Sequence, residues 1–139
     1  MGNYKEKLKK ITTFVFDYDG VFTDGLVYLT DSGDQLRTAN SRDGYALQLA
    51  IKAGFRIVII TGADAAAIQR RFDKLGIKDV FLRSDDKLLV FEAFLEENGI
   101  TRDEVLAMGD DIPDYNMLEA AGVATCPADA SVEIKELSH

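Results

Sequence analysis

Two aspartates one residue apart, Asp17 and Asp19, follow the apolar run FVF at residues 14–16 and lead into a turn that holds a third, Asp24. Carboxylates set against a hydrophobic core repel one another and lose hydration, so they need a cation or a reacting phosphate as compensation. Other polar signals stand in similar places. Thr61 and Gly62 follow the run FRIVII, Lys87 opens KLLVFEAFLEENG, and Asp110 and Asp111 follow VLAMG. Together these groups suit phosphoryl transfer. A carboxylate can attack phosphorus and form an acyl phosphate, which divides the displacement into two steps. Hard oxygen ligands would hold Mg²⁺ to neutralise the meeting anions. Lys87 and the Thr61 hydroxyl would hold the remaining phosphoryl oxygens. A second carboxylate must protonate the departing oxygen and later take a proton from water, and Asp19 lies beside Asp17 for that work.

Each signal has a plainer reading when taken alone. A D-x-D pair is usually a loop or a helix cap, and Thr-Gly can simply end a strand. A calcium loop of the EF-hand kind is excluded, because its glycine position, counted from Asp17, is Phe22 and its closing glutamate position is Tyr28. Lys87 at a helix start opposes the helix dipole and so needs a reason to be there. Asp31, Asp34, Asp85 and the pair Glu96-Glu97 read as turns, caps and solvated faces.

The elements that must position these groups follow from periodicity. ITTFVF at residues 11–16 and FRIVII at residues 55–60 are short, β-branched and apolar, hence buried strands. LVYL and QLRT flank the turn TDSGD and predict a β-hairpin. Asp43 can cap a helix whose Leu47, Ala50 and Ile51 share a face, with Gly54 ending it. A second helix is predicted from about Asp64, with Ile68, Phe72 and Leu75 inward and Gly76 as its stop. DVFL is a third strand, and the helix after it faces Leu88, Phe91 and Leu95 inward. TRDE reads as a capping box before the strand VLAM; a short helix, the strand GVAT and a last helical segment, SVEIKEL, complete the chain. Alternating strands and helices predict an α/β fold, a parallel sheet covered on both faces. Such sheets bind ligands beyond the carboxyl ends of their strands, where all the singled-out polar residues fall.

The composition narrows the partners. The chain has 139 residues, enough for one domain spanning residues 1–139. Hydrophobic residues make up 47% and charged residues 29%, and the net charge is −8. An acidic surface repels nucleic acid and anionic membrane, so neither is an expected partner, and an anionic substrate must meet local positive charge. The single cysteine, Cys126, lies in an apolar setting and reads as a packed thiol. The start MGNYKEKLKK has no apolar signal core and no run approaches a membrane span, so the cytoplasm is the expected location.

DYDGVFTDG, the TG after strand two, the lysine after strand three and GDDIPD resemble, in that order, the four motifs of the haloacid dehalogenase superfamily. TANSRDGYALQLA after a hairpin is similar to its capless 3-deoxy-D-manno-octulosonate 8-phosphate phosphatases, which act in lipopolysaccharide sugar biosynthesis. The resemblance implies a Rossmann-like fold, with Asp17 as nucleophile and Asp19 as general acid/base. It implies Mg²⁺ on the Asp17 carboxylate, the Asp19 backbone carbonyl and Asp110, with Asp111 or Asp114 in support. Thr61, Gly62 and Lys87 are implied at the phosphoryl group. Asn40, Ser41, Arg42, Asp43 and Gly44 align with the family's substrate loop, and Arg71 with a further substrate arginine. Gln48 and Ala63 stand where enterobacterial-type members carry arginines. The family usually continues past the last helix with a glycine-rich tail; the sequence in hand ends at His139.

The segment lengths independently leave no room for a cap domain. Water exclusion is then expected from the substrate or from a neighbouring subunit, which the family typically supplies as a homotetramer. The apolar hairpin residues 26–29 are candidates for that contact, or else they pack on their own domain. Two rivals remain at this level. One is a phosphatase for a 9-phosphorylated deoxynonulosonate; the other is a phosphoacceptor signalling domain, which places its acceptor aspartate after a later strand.

Overall fold

The computed structural model describes residues 3–139. Five parallel strands form the main sheet: β1 (Thr13–Phe16), β4 (Arg56–Ile60), β5 (Asp79–Phe81), β6 (Val105–Met108) and β7 (Val123–Thr125), in the order β5-β4-β1-β6-β7. The first strand is therefore central. Val15 pairs with Val58 on one side and Ala107 on the other. The chain steps outward through β4 and β5, then returns to the far side of β1 for β6 and β7. That reversal opens a crevice beyond the carboxyl end of β1, the usual ligand position in such sheets.

Both faces are covered, which explains the unbroken apolar runs. Along β4, Ile57 and Ile59 face one side, and Val58 and Ile60 the other, all nearly inaccessible to solvent. The first pair packs with Leu47, Ile68 and Phe72 from helices α2 (Ser41–Lys52) and α3 (Ala66–Lys74). The second packs with Phe91, Phe94, Leu118 and Ile134 from α4 (Lys87–Asn98), α5 (Tyr115–Ala120) and α6 (Val132–Leu137). Cys126 is half-buried against this second cluster, as a packing thiol should be.

Local signals set the boundaries, with three corrections. Asn40, not Asp43, caps α2: its side chain accepts from the backbone N–H of Arg42 at 2.8 Å and of Asp43 at 3.4 Å. Asn is as good a cap as Asp, and the one that comes first in the chain starts the helix. α3 begins at Ala66, two residues after Asp64, with Ala65 at its N-cap and no side-chain cap, while the Asp64 carboxylate pairs with Arg83 (2.9 Å). The N-terminal lead-in forms a short helix, α1 (Tyr4–Leu8), capped by Asn3. α4 is capped by the Asp86 side chain and stopped by Gly99 in the left-handed conformation (φ 64°).

The hairpin strands β2 (Tyr28–Leu29) and β3 (Gln35–Leu36) pair antiparallel as expected. They do not pack on their own domain. Leu26, Tyr28, Leu29 and Leu36 are 68%, 63%, 76% and 54% exposed. Between β1 and β4 the chain holds only this hairpin and α2; between β5 and β6 it holds α4 and its connections. No cap domain is inserted among the described residues.

Phe91 is fully buried where α4 meets the sheet. Phe91→Ala should lower unfolding stability by about 3–5 kcal/mol, read as a fall in urea midpoint with an unchanged slope.

Candidate active site

The crevice gathers side chains from four strand ends. Asp17 follows β1, its backbone N–H bonded to Met108 O on β6 at 3.1 Å. Its carboxylate Oδ1 accepts from the Tyr18 N–H at 2.6 Å, and Oδ2 lies 3.1 Å from Lys87 Nζ. Lys87 is the first residue of α4 and is 6% exposed. Its ammonium also meets Asp114 Oδ1 at 2.5 Å. Asp114, 1% exposed, turns Oδ2 to the backbone N–H groups of Asp110 (3.1 Å) and Asp111 (3.4 Å). Thr61 is buried after β4, its hydroxyl accepting from the Ala63 N–H. Asp17, Asp19, Thr61, Gly62, Lys87 and Asp110 all line one open cavity of about 430 Å³.

Glycines allow this crowding. Gly20 has a positive φ of 79°, and a Cβ there would collide with the Asp110 carboxylate. The close approach brings the loop after β1 against the loop after β6.

Electrostatics mark the site as short of positive charge. Burial, then the Asp114 charge, push Asp17 up from 3.8 to about 7, although Lys87 opposes them. Burial, with Asp114 and Asp111, pushes Asp110 up to about 6. Burial alone would lower Lys87, yet Asp17 and Asp114 outweigh it and hold the ammonium above its ordinary value. Carboxylate oxygens of Asp17, Asp110 and Asp114 lie within 4.8 Å of one another. Hard, anionic oxygens at that spacing fit a divalent cation such as Mg²⁺. Asp17, Asp110 and Asp114 together would offer such an ion its ligands, while Asp114 also bonds Lys87 and the N–H groups of Asp110 and Asp111. Asp111 is occupied in capping the turn at Ile112, at 2.8 Å.

The substrate-loop residues gather elsewhere. Asn40, Asp43, Gly44 and Arg71 line a narrow cleft with Tyr18 and Phe22. Arg71 donates to Asn40 O at 3.3 Å and packs against Gly44, so that a side chain there would have to displace its guanidinium. Ser41 and Arg42 are exposed on the first turn of α2. None of these six residues lines the cavity that holds Asp17 and Lys87.

Three features escaped sequence reasoning. Asp85, read there as solvated, stands at the cavity wall. Arg83 adopts a left-handed conformation (φ 53°) unusual for its type, its N–H bonded to Ala63 O at 3.1 Å. Arg37 donates from Nε to Asp19 Oδ1 at 2.7 Å. No local spacing links Arg37 to Asp19.

A haloacid dehalogenase-like hydrolase family model matches residues 41–122, and the chain belongs to that family. Its relatives point to one branch of it. The chain is 35% identical over 124 residues to the 3-deoxy-D-manno-octulosonate 8-phosphate phosphatase of Escherichia coli K12, covering 89% of this chain and 66% of that protein. It is 31% identical over 134 residues to the phosphatase of the same name from Yersinia pestis, covering 96% and 72%. It thus spans about two thirds of the length of the curated relatives it matches. The crystal structure of the Moraxella catarrhalis phosphatase of that name, in complex with a magnesium ion, a phosphate ion and a KDO molecule, superposes with a TM-score of 0.92 at 29% identity, covering 96% of this chain and 76% of that one.

The raised Asp17 value has a consequence for stability. Because its folded value, about 7, lies above the ordinary 3.8, the fold favours the neutral form. Its contribution to stability is complete below about pH 4 and is lost as pH rises through about 7. A divalent cation favours the ionised form and relieves that loss. Saturating Mg²⁺ should therefore raise the unfolding temperature by several degrees at pH 8 and by clearly less at pH 5, measured by calorimetry. An equal rise at both would contradict the metal assignment.

Proposed function

We propose that the chain, as one phosphatase domain, hydrolyses the phosphate monoester of a sugar acid in an Mg²⁺-dependent reaction through an aspartyl-phosphate. The substrate favoured is 3-deoxy-D-manno-octulosonate 8-phosphate, the compound for which its relatives are named. The observation that carries the reading is the buried Lys87 ammonium 3.1 Å from the Asp17 carboxylate at the carboxyl end of the central strand.

In the first step, an Asp17 carboxylate oxygen bonds to phosphorus while the ester P–O bond breaks and Asp19 gives a proton to the departing sugar oxygen. In the second, Asp19 takes a proton from water, whose oxygen attacks phosphorus; phosphate leaves and Asp17 is restored. Lys87 and Thr61 hold the phosphoryl oxygens through both steps. Asp17, the Asp19 carbonyl and Asp110 would hold Mg²⁺, which would supply charge neutralisation there. Asp114 keeps Lys87 and the loop after β6 in register.

The reading extends to a homo-oligomer, a tetramer by family resemblance. Two observations support it: the exposed apolar hairpin, and the absence of the chain's own substrate-loop residues from the cavity wall. A neighbour docked on the hairpin would exclude water from the open cavity and could bring its own polar loop to the substrate. Gly25, where the hairpin begins, already stands at the cavity wall. Ala63, where the sequence resemblance implies arginine in enterobacterial-type members, lines the cavity, so the nine-carbon sugar acid phosphate belongs in the same test.

Phosphate release should be measured over a panel of sugar phosphates with Mg²⁺ and with EDTA. The eight-carbon acid phosphate is expected to be the preferred substrate, with activity lost in EDTA. Asp17→Asn should lower kcat by at least about 10³-fold; normal turnover in that variant would remove the nucleophile. In gel filtration the wild type should elute as an oligomer, and Leu29→Glu should shift it toward the monomer with weaker turnover of the sugar phosphate. A strict wild-type monomer with full activity would overturn the neighbour's role.

A further inference from the structure

Arg37 lies just beyond the return strand of the hairpin, and only 9% of its side chain is exposed. A guanidinium is seldom taken out of water without a strong partner. Here that partner is Asp19, whose Oδ1 accepts from Arg37 Nε at 2.7 Å, while Nη2 reaches the Gln35 side chain at 3.3 Å. The next residues repeat the link. The Tyr18 hydroxyl donates to Thr38 O at 2.7 Å. Residues 18 and 19 of the aspartate loop are thus stitched to residues 38 and 37 of the hairpin by two polar contacts.

We infer that Arg37 is the positioning residue for Asp19, acting through it without touching the reacting atoms; this rests on the acid/base role proposed above. A lone carboxylate in a cavity that also holds Asp17, Asp85 and Asp110 would swing away from them. The charge-assisted bond at Oδ1 fixes the rotamer and leaves Oδ2 for proton transfer. An acid/base displaced by about 1 Å loses on the order of 10²-fold in rate. The same contact makes the geometry of proton transfer depend on the hairpin.

The test uses two substrates. A sugar ester leaves as a basic alkoxide and needs the proton, whereas p-nitrophenolate leaves without one. In Arg37→Met, kcat/KM for the sugar acid phosphate should fall about 10²-fold, mostly in kcat, and for p-nitrophenyl phosphate by less than about 10-fold. Arg37→Lys, which keeps the charge and the fold, should recover most of the loss. In an Asp19→Ala background, Arg37→Met should change nothing further. Equal losses on both substrates would mean a structural role, and a loss confined to KM a substrate contact; either would overturn the inference while leaving the phosphatase reading intact. A wild type inactive on every phosphate ester would overturn both.

Discussion

A buried ammonium between two buried carboxylates holds this site together. Lys87 sits 3.1 Å from Asp17 and 2.5 Å from Asp114, and all three are less than a tenth exposed. Such a cluster is poor at stabilising a fold. Desolvating charges costs several kcal/mol each, roughly cancelling their attraction, and apolar residues of similar volume usually do as well. The cluster therefore has to be explained by what it does. Among the described residues, Lys87 and the Arg37 that pairs with Asp19 are outnumbered by the carboxylates of the crevice, and burial pushes Asp17 up to about 7. On the proposed reading Asp17 is the nucleophile and must be ionised at neutral pH, so the arrangement calls for further positive charge.

The fold makes the cluster possible by placing one strand at the centre. Because β1 pairs with both β4 and β6, the residues after these strands open onto the same crevice, and the helix after β5 brings Lys87 to its side. A cation at the first turn of α4 meets the positive end of the helix dipole. The two carboxylates outweigh that cost, which answers why a lysine stands there at all. Gly20 then lets the loops after β1 and β6 close on one another, as its positive φ and the lack of space for a side chain require. Backbone geometry and charge pairing each presuppose the other.

This logic explains what could be read from the chain and what could not. Asp17, Thr61 and Asp110 were legible because each follows an apolar run, and Lys87 because it opens the helix after one; in a doubly covered parallel sheet the ends of such runs meet in space. Helix starts were less so: Asn40 and Asp43 are both good caps, and only the structure shows that the earlier one prevails. Arg37 was invisible, since its partner lies across a hairpin and no periodicity joins them. The substrate loop shows a different limit. Its residues match a family pattern, yet Asn40, Asp43, Gly44 and Arg71 close on one another in a cleft beside Tyr18.

That separation and the exposed hairpin bear on the same difficulty. Phosphoryl transfer to an aspartate needs a dry site, because fixed charges act strongly only where water is excluded. This cavity opens to solvent between short loops, and no inserted domain covers it among the described residues. The chain instead presents Leu26, Tyr28, Leu29 and Leu36 on a two-stranded ribbon too small to be stable alone. That ribbon is held at its root, where Arg37 and Thr38 grip Asp19 and Tyr18, and on the proposed reading by a neighbouring subunit over its apolar face. A surface that excludes water from the cavity would then also tighten the contact that orients Asp19. Closure and proton transfer would be set by one element, so on the proposed reading a subunit without its neighbour loses both together.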